Sequence, residues 1–261
     1  KVINDSPHEL IHPNGTTDDL NSAYNVIKTT KESAEIIYAK EYNYTNYSVG
    51  NSYACRSIGT DAFQWGVFHP GGDVLYNAYL PCDMLLNSYA SNDIRGHEKQ
   101  FFFKQYTDAE GKTYTLNNAG NWAWFDENAL ISGHDGDYNM PVFRFAEVLL
   151  LYAEACAQTS DPDGANYALK LIRKRAGLQE KTFAQEELMT EIEHQCLLEF
   201  FGEGHRFYDL KRWYSVSEIQ LILKANGKQG AENFQEKHLY YPIPTSELNN
   251  NTAMVQTSLW K

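Results

Sequence analysis

Helical periodicity in the second half of the chain constrains the fold more than any other feature. From Pro141 to about residue 158, apolar side chains recur every three or four positions, and proline suits the first position of a helix. The apolar positions are Val142, Ala146, Leu149, Ala153, Cys156 and Ala157. A second stripe covers residues 165–176 and is followed by Gly177, which is typical of a helix C-terminus. The two segments predict an antiparallel helical hairpin.

A second hairpin is predicted directly after the first. Thr182 to Gln185 matches a capping box before an apolar segment that reaches Phe200, and a further helix is predicted from about His205. The two hairpins begin about 43 residues apart, whereas tetratricopeptide repeats have a period of roughly 34 residues. A short apolar segment at 215–223 has a candidate cap at Ser217. We therefore predict a mainly α fold with tetratricopeptide-like helical hairpins, completed by helices from the first half or from outside the chain.

The first half of the chain has a different character. Residues 1–140 are rich in Asn, Tyr, Gly and Ser, and a helical stripe is present only at 19–30. Residues 34–44 and 100–116 favour strands, and the second of these segments contains a hairpin loop at 108–111. A long irregular segment at 61–81 is too aromatic for simple disorder. We predict a loop-rich region with a few short strands at 1–140 and a helical scaffold at 141–261, within one compact unit.

Charge and cysteine content exclude several classes of protein. The 34 acidic and 22 basic residues give a net charge of −12, which argues against binding to nucleic acid or to an anionic membrane surface. No run of about 18 apolar residues predicts a membrane span. Cys156 and Cys196 lie on apolar helix faces and are expected to be buried thiols. Cys55 and Cys82 are a possible pair in an oxidising compartment.

The segment EFFGEGHRFYDLKRW at 199–213 admits three interpretations. His205 and Asp209 have the spacing of an acid–base dyad, but no nucleophile motif accompanies them. Glu203, His205 and Asp209 are a second possibility, as ligands of a metal ion. Glycines flank Glu203 on both sides and would leave this first ligand mobile, which argues against a metal site. The third interpretation is a tight interhelical joint, and we favour it, with no catalytic residue, metal or cofactor. Its ion pairs would involve Glu199, Arg206, Asp209 and Arg212.

Four segments of the second half follow one another in the order MPVFRFAEVLLLYAEACAQ, ALKLIRKRAGL, LLEFFGEGHRFYDLKRW and LYYPIPTSELNNNTAMVQTSLW. Together they resemble the C-terminal half of the SusD/RagB family, the nutrient-binding outer-membrane lipoproteins of Bacteroidetes. Upstream, SAEIIYAKEYN and LLNSYASNDIRG, which contains Asp93 and Arg95, also look like family segments. The chain is therefore expected to be the C-terminal portion of such a protein, with the N-terminal part of the parent missing.

The resemblance implies a function in polysaccharide utilization. It implies a non-catalytic, cell-surface protein of the outer membrane that captures an oligosaccharide or another nutrient. The partner would be a SusC-like TonB-dependent transporter, and membrane attachment would come only from a lipid anchor outside this chain. The alternative is a helical-repeat scaffold for protein interaction without a sugar site. A glycoside hydrolase is a third class, because sequence spacing does not reveal a pair of carboxylates across a cleft.

Candidate ligand-binding residues are aromatic side chains with polar neighbours, because sugars present both C–H faces and hydroxyl groups. Trp122 and Trp124 are two positions apart, which would place both on one face of an extended chain. The candidates are Trp65, Phe68, Tyr76, Trp122, Trp124, Asn121 and Asp126. The opposing interpretation is that these rings pin the long loops to the helical scaffold.

Overall fold

The computed structural model describes residues 2–69 and 79–261, and the described part is mainly helical with two short antiparallel strand pairs. The helices are α1 (Val2–Asp5), α2 (Ala23–Thr29), α3 (Tyr44–Tyr47), α4 (Asp83–Ser88), α5 (Glu127–Ser132), α6 (Phe145–Gln158), α7 (Pro162–Arg175), α8 (Gln185–Glu199), α9 (His205–Trp213), α10 (Val216–Ala225) and α11 (Thr245–Asn250). The strands are β1 (Ile36–Lys40), β2 (Phe102–Thr107), β3 (Thr113–Asn121) and β4 (Met140–Arg144). Short 3₁₀ helices include Ala54–Arg56, Thr60–Trp65 and Ile94–Gly96. The predicted fold class is confirmed.

Contacts divide the chain into two compact units, Lys1–Glu203 and Gly204–Lys261. The first unit contains both strand pairs and α1 to α8. The second contains α9 to α11. The predicted organisation into a loop-rich region at 1–140 and a scaffold at 141–261 stays a prediction. No helix within the described ranges is long and apolar enough to cross a bilayer.

The centre of the first unit is the three-helix packing of α6, α7 and α8, which contact one another pairwise. Their apolar stripes are buried as the periodicity predicts, including Leu149 on α6, Leu169 on α7 and Ile192 on α8. Cys156 and Cys196 are buried, as expected, and no disulfide joins Cys55 to Cys82. Gly177 follows α7 with a φ of +78°, a backbone conformation that suits a glycine at a helix end.

The predicted helix start at Pro141 is wrong. Pro141 lies in β4, which pairs antiparallel with β1 opposite Ala39, and α6 begins at Phe145. A two-stranded ribbon has an open edge on each strand, so a residue without an N–H is tolerated there. The ribbon aligns Ile36 with Arg144, which brings two segments more than 100 residues apart to the start of α6.

Two predicted helix caps are displaced by two residues. The segment 182–185 does not cap α8, because the helix begins after Ala184, whose N–H donates to the Glu187 carboxylate at 3.0 Å. Helix α10 begins after Ser215 rather than Ser217. In both cases a glutamate three residues into the helix, Glu187 or Glu218, accepts a hydrogen bond from the N–H of the capping residue and so determines where the helix begins.

Helix α2 is shorter than the predicted 19–30 segment. The Ser22 hydroxyl caps it by accepting a hydrogen bond from Asn25 N at 3.1 Å, and Leu20 lies exposed before its start. Tyr24 and Ile27 are buried as predicted. This helix therefore carries one apolar face into the first unit.

The predicted hairpin at 100–116 is confirmed as β2 and β3. Asp108 holds the connecting loop, because its carboxylate accepts hydrogen bonds from the N–H groups of Glu110 and Lys112 at 3.0 and 2.9 Å. One face of the hairpin joins a buried aromatic cluster that includes Phe68, Phe103, Tyr106 and Phe125. The hairpin thus packs against the loop segments that carry Phe68 and Phe125.

Candidate functional site

Glu199, at the end of α8, is the centre of a buried ion cluster. Its carboxylate accepts hydrogen bonds from Arg95 and Arg144, each at 3.2 Å, and from Arg175. Burial raises the pKa of Glu199, but the three guanidinium groups outweigh burial and hold the pKa below its usual value. The predicted pairing of Glu199 across the Gly-Glu-Gly turn is therefore corrected, because arginines from three earlier segments engage this carboxylate.

The rest of the ion cluster joins further segments to the same point. Arg144 donates to Glu35 at 2.6 Å and binds Glu203 through two nitrogens at 2.7 and 2.8 Å. Arg175 also binds Glu35, at 2.6 and 2.7 Å. The members of the buried ion cluster are Glu35, Asp93, Arg95, Arg144, Arg175, Glu199 and Glu203. These side chains hold the β1–β4 ribbon, α7, α8 and the Ile94–Gly96 turn together.

The alternatives for residues 199–213 can now be compared with this geometry. Glu203, the first ligand of the possible metal site, is held by Arg144 on both carboxylate oxygens. Within the described ranges, no group of three or more His, Cys, Asp or Glu side chains is placed to hold a metal ion. In the second unit, Asp209 pairs with Arg212 at 3.1 Å within α9, so this ion pair does not cross the turn as predicted. Glu203 is thus a member of the buried ion cluster.

Phe68 is a core residue, which corrects its assignment as a ligand platform. Its ring is 1% exposed and contacts Tyr106 and Phe125 at centroid distances of 4.7 and 5.8 Å. Trp65 is partly buried and stacks on Tyr114 at 4.8 Å with an interplanar angle of 21°. Tyr76 lies outside the described residues. Trp65 therefore keeps part of its ring accessible, whereas Phe68 does not.

Trp122 and Trp124 do not share one face, because residues 122–124 form a turn after β3 instead of an extended chain. Trp122 stacks on Phe125 at 5.2 Å, and its Nε1 donates to Asn25 Oδ1 at 2.8 Å. Trp124 contacts a different set of rings. Trp122 therefore pins the loop to α2, whereas Trp124 is the better candidate for ligand contact.

The predicted polar partners Asn121 and Asp126 support the loop from inside. Asn121 is fully buried, and its Oδ1 accepts from Trp124 N at 3.3 Å. Asp126 caps α5 by accepting from Ala129 N at 3.2 Å, and its other oxygen accepts from Asp137 N at 3.0 Å. Both side chains are buried and position Trp124 and its neighbours. Their oxygens accept hydrogen bonds from backbone N–H groups of the protein.

The most ligand-like surface of the first unit is the Tyr53–Tyr79–Trp124 cluster. Trp124 lies 4.5 Å from Tyr53 and 5.5 Å from Tyr79 between ring centroids, and Tyr79 is 38% exposed. The Arg56 guanidinium lies 5.4 Å from Tyr53 and 5.7 Å from Tyr79. Tyr53 is absent from the predicted set, because it is a single aromatic residue in an irregular segment without periodicity. The cluster combines partly accessible ring faces with a hydrogen-bond donor.

A cavity of about 50 Å³ lies beside Trp124. Its lining includes Tyr24, Lys28, Asn139, Arg144, Gly202 and Glu203. The Lys28 ammonium lies 4.0 Å above the Trp122 ring and 4.9 Å from the Tyr138 ring. Burial lowers the pKa of Lys28 to about 7, although Asp126 acts in the opposite direction. This cavity, together with the Tyr53–Tyr79–Trp124 cluster, forms the candidate site.

Comparison with known sequences agrees with the resemblance. The model of the SusD family matches residues 98–260. The chain is 35% identical over 131 residues to the starch-binding protein SusD of Bacteroides thetaiotaomicron, which is 48% of this chain and 22% of that protein. It is 29% identical over 124 residues to the SusD-like protein P25 of Formosa agariphila, 46% of this chain and 24% of that protein.

Solved structures show the same fold. A SusD superfamily protein from Parabacteroides distasonis superposes with a TM-score of 0.68 at 21% identity, covering 95% of this chain and 54% of that one. Surface glycan-binding protein A from Bacteroides thetaiotaomicron superposes with a TM-score of 0.69 at 18% identity, covering 98% and 57%. A structure of the latter in complex with laminarihexaose gives a TM-score of 0.67. The chain thus spans little more than half of these structures. Because the family model matches more than half of the sequence, the chain belongs to the SusD family.

Proposed function

We propose that this protein binds a glycan at the cell surface without chemical conversion, and that the Tyr53–Tyr79–Trp124 cluster is the platform on which the sugar stacks. The observation that carries the proposal is the cluster itself, in which Tyr79 is 38% exposed and Trp124 lies within 5.5 Å of both tyrosine rings. Aromatic faces attract the C–H faces of pyranose rings, and Arg56 supplies hydrogen-bond donors for hydroxyl groups.

Related proteins support the ligand class. One relative is named a starch-binding protein, and one structural neighbour was solved with laminarihexaose. The other predicted residues take secondary parts in the proposal. Trp65 offers its accessible edge as a second contact, whereas Asn121 and Asp126 fix the loop that presents Trp124. Tyr76 stays a prediction.

The test is a titration with neutral and charged oligosaccharides, followed by intrinsic tryptophan fluorescence and calorimetry. We expect Trp124→Ala to weaken glycan binding at least tenfold, about 1.4 kcal/mol, because the stacking face is lost. Trp260→Ala is the matched control, since Trp260 belongs to the second unit, where its Nε1 donates to Tyr240 O at 2.9 Å. Equal affinity of the wild type and Trp124→Ala for every bound glycan would refute the assignment of the platform.

We further propose that the captured glycan passes to a SusC-like TonB-dependent transporter in the outer membrane, with a lipid anchor providing attachment. Family membership supports this part of the proposal. Co-purification with the SusC-like transporter of the same genome tests the partnership, and protease accessibility on intact cells tests the surface location. The absence of catalysis is tested by incubating the protein with bound glycans, and release of new reducing ends would contradict it.

A further inference from the structure

The cavity beside Trp124 is lined by hydrogen-bond donors that have no acceptor partner within the described part of the chain. Tyr24 Oη and Asn139 Nδ2 are buried and have no hydrogen-bond partner among the described residues. The Lys28 ammonium also lines the cavity, and it lies 4.0 Å from the Trp122 ring and 4.9 Å from the Tyr138 ring. A buried polar group without a partner costs about 1–3 kcal/mol. The cavity is therefore suited to a group that accepts several hydrogen bonds.

Side-chain acceptors in the cavity wall are already engaged. Asn139 Oδ1 accepts from Tyr42 N at 3.0 Å, and Asn51 Oδ1 accepts from Tyr53 N at 2.9 Å. Both carboxylate oxygens of Glu203 accept from Arg144. The wall thus has spare donors and occupied acceptors, an imbalance that favours an anion over a hydroxyl-rich neutral group.

Two more donors lie next to Gly202, which also lines the cavity. A Cβ at Gly202 would meet Asn121 Nδ2 at 3.1 Å and Trp124 Nε1 at 3.3 Å. Asn121 Nδ2 is buried without a partner in the described part of the chain. The lack of a side chain at Gly202 leaves room beside both N–H groups. Trp124 thereby connects the cavity to the Tyr53–Tyr79–Trp124 cluster.

Lys28 determines the charge of the cavity. Asp126 favours its protonated form, as do the rings of Trp122 and Tyr138, which attract a cation. Arg144 and Glu203 face the same space and neutralise each other. Because burial lowers the pKa of Lys28 to about 7, this side chain changes its protonation state near neutral pH. A bound anion would favour the protonated form further.

We propose that this cavity binds the carboxylate or sulfate group of an acidic glycan, while the adjoining sugar ring stacks on Trp124. The proposal rests on the proposed glycan-binding function and deepens it by naming the substrate class. The volume of about 50 Å³ holds a group of the size of a few water molecules, which fits one acidic substituent.

The experiment compares matched ligands by calorimetry on the whole protein. The ligands are D-glucuronate, glucose 6-sulfate and D-glucose, together with oligogalacturonate and a neutral glucan oligosaccharide. We expect at least tenfold tighter binding of an acidic ligand than of its neutral counterpart. Comparison of D-glucuronate with glucose 6-sulfate distinguishes a site for a carboxylate from a site for a sulfate. Affinity for the acidic ligand should fall as pH rises from 6 to 8.5, by up to about thirtyfold if only protonated Lys28 binds.

Lys28→Met removes the ammonium and keeps the apolar stem, so it should abolish both the preference for acid and the pH dependence. Lys99→Met is the control, because Lys99 also lies near the Trp122 ring, at 5.5 Å, but does not line the cavity. Circular dichroism spectra verify that both variants fold. The pH dependence of acidic-ligand binding by the wild type tests the proposal without any variant.

Each outcome decides between the two proposals. Binding of neutral and acidic glycans with equal affinity, or an unchanged preference for acid in Lys28→Met, overturns the acidic-group assignment and leaves glycan binding in place. Lys28-dependent binding of glucuronate or glucose 6-sulfate without binding of any oligosaccharide supports the anion site and contradicts the proposed function. Absence of binding for all ligands overturns both.

Discussion

Neutralising Glu199 tests whether the buried ion cluster holds the first unit together. Glu199→Gln keeps the shape of the side chain but removes the charge that faces Arg95, Arg144 and Arg175, and it turns an N–H₂ group toward guanidinium donors. Breaking a buried ion pair costs about 3–5 kcal/mol. We expect a loss of about 3 kcal/mol, the lower end of that range, because each arginine keeps another carboxylate, from Asp93, Glu35 or Glu203.

Urea unfolding followed by circular dichroism measures this loss. With a denaturant slope of about 3 kcal/mol per molar urea, the midpoint should fall by about 1 M. Glu180→Gln is the matched control, because the Lys170–Glu180 pair spans 3.7 Å between largely exposed side chains and should contribute at most about 0.5 kcal/mol. A midpoint shift for Glu199→Gln no larger than that of the control would refute the assigned role of the cluster.

Two further perturbations test the candidate site. Because the folded-state pKa of Lys28 is about 7 against 10.5 in an unfolded chain, the unfolded chain binds more protons between these values. The free energy of unfolding should therefore rise with pH from 7 to about 9 in the wild type and rise less in Lys28→Met; parallel curves in urea titrations would contradict this. Gly202→Ala should lower the free energy of unfolding by more than Gly111→Ala, because both have a positive φ but only the first adds close contacts. The backbone strain shared by both substitutions is about 1–2 kcal/mol, and thermal melts give the difference.

The sequence predicts well the parts of the fold that local patterns determine. The stripes of α6, α7 and α8 and the β2–β3 hairpin follow from periodicities of 3.6 and 2 over neighbouring residues. The start of α6 is different, because Pro141 pairs with Ala39, about 100 residues earlier, and no local pattern contains that pairing. Local preference alone therefore assigns 141–144 to the wrong element.

The candidate site is predicted less completely, for the same physical reason. Tyr53, Tyr79 and Trp124 come from three irregular segments, and their proximity depends on how the loops pack on the hairpin and on α2. Composition identifies aromatic residues but does not distinguish the buried Phe68 from the accessible Tyr79. The sequence identifies Trp124 as a tryptophan among polar residues, which describes its chemistry but not its position in the fold.

The buried ion cluster also orders events during synthesis of the chain. Arg144 and Arg175 emerge before Glu199, and until then they would share the single carboxylate of Glu35. Removing an uncompensated ion from water costs several kcal/mol, so both guanidinium groups remain hydrated until α8 is complete. We therefore expect the first unit to close only after its last helix has left the ribosome, so that a nascent chain truncated before residue 199 remains accessible to proteases.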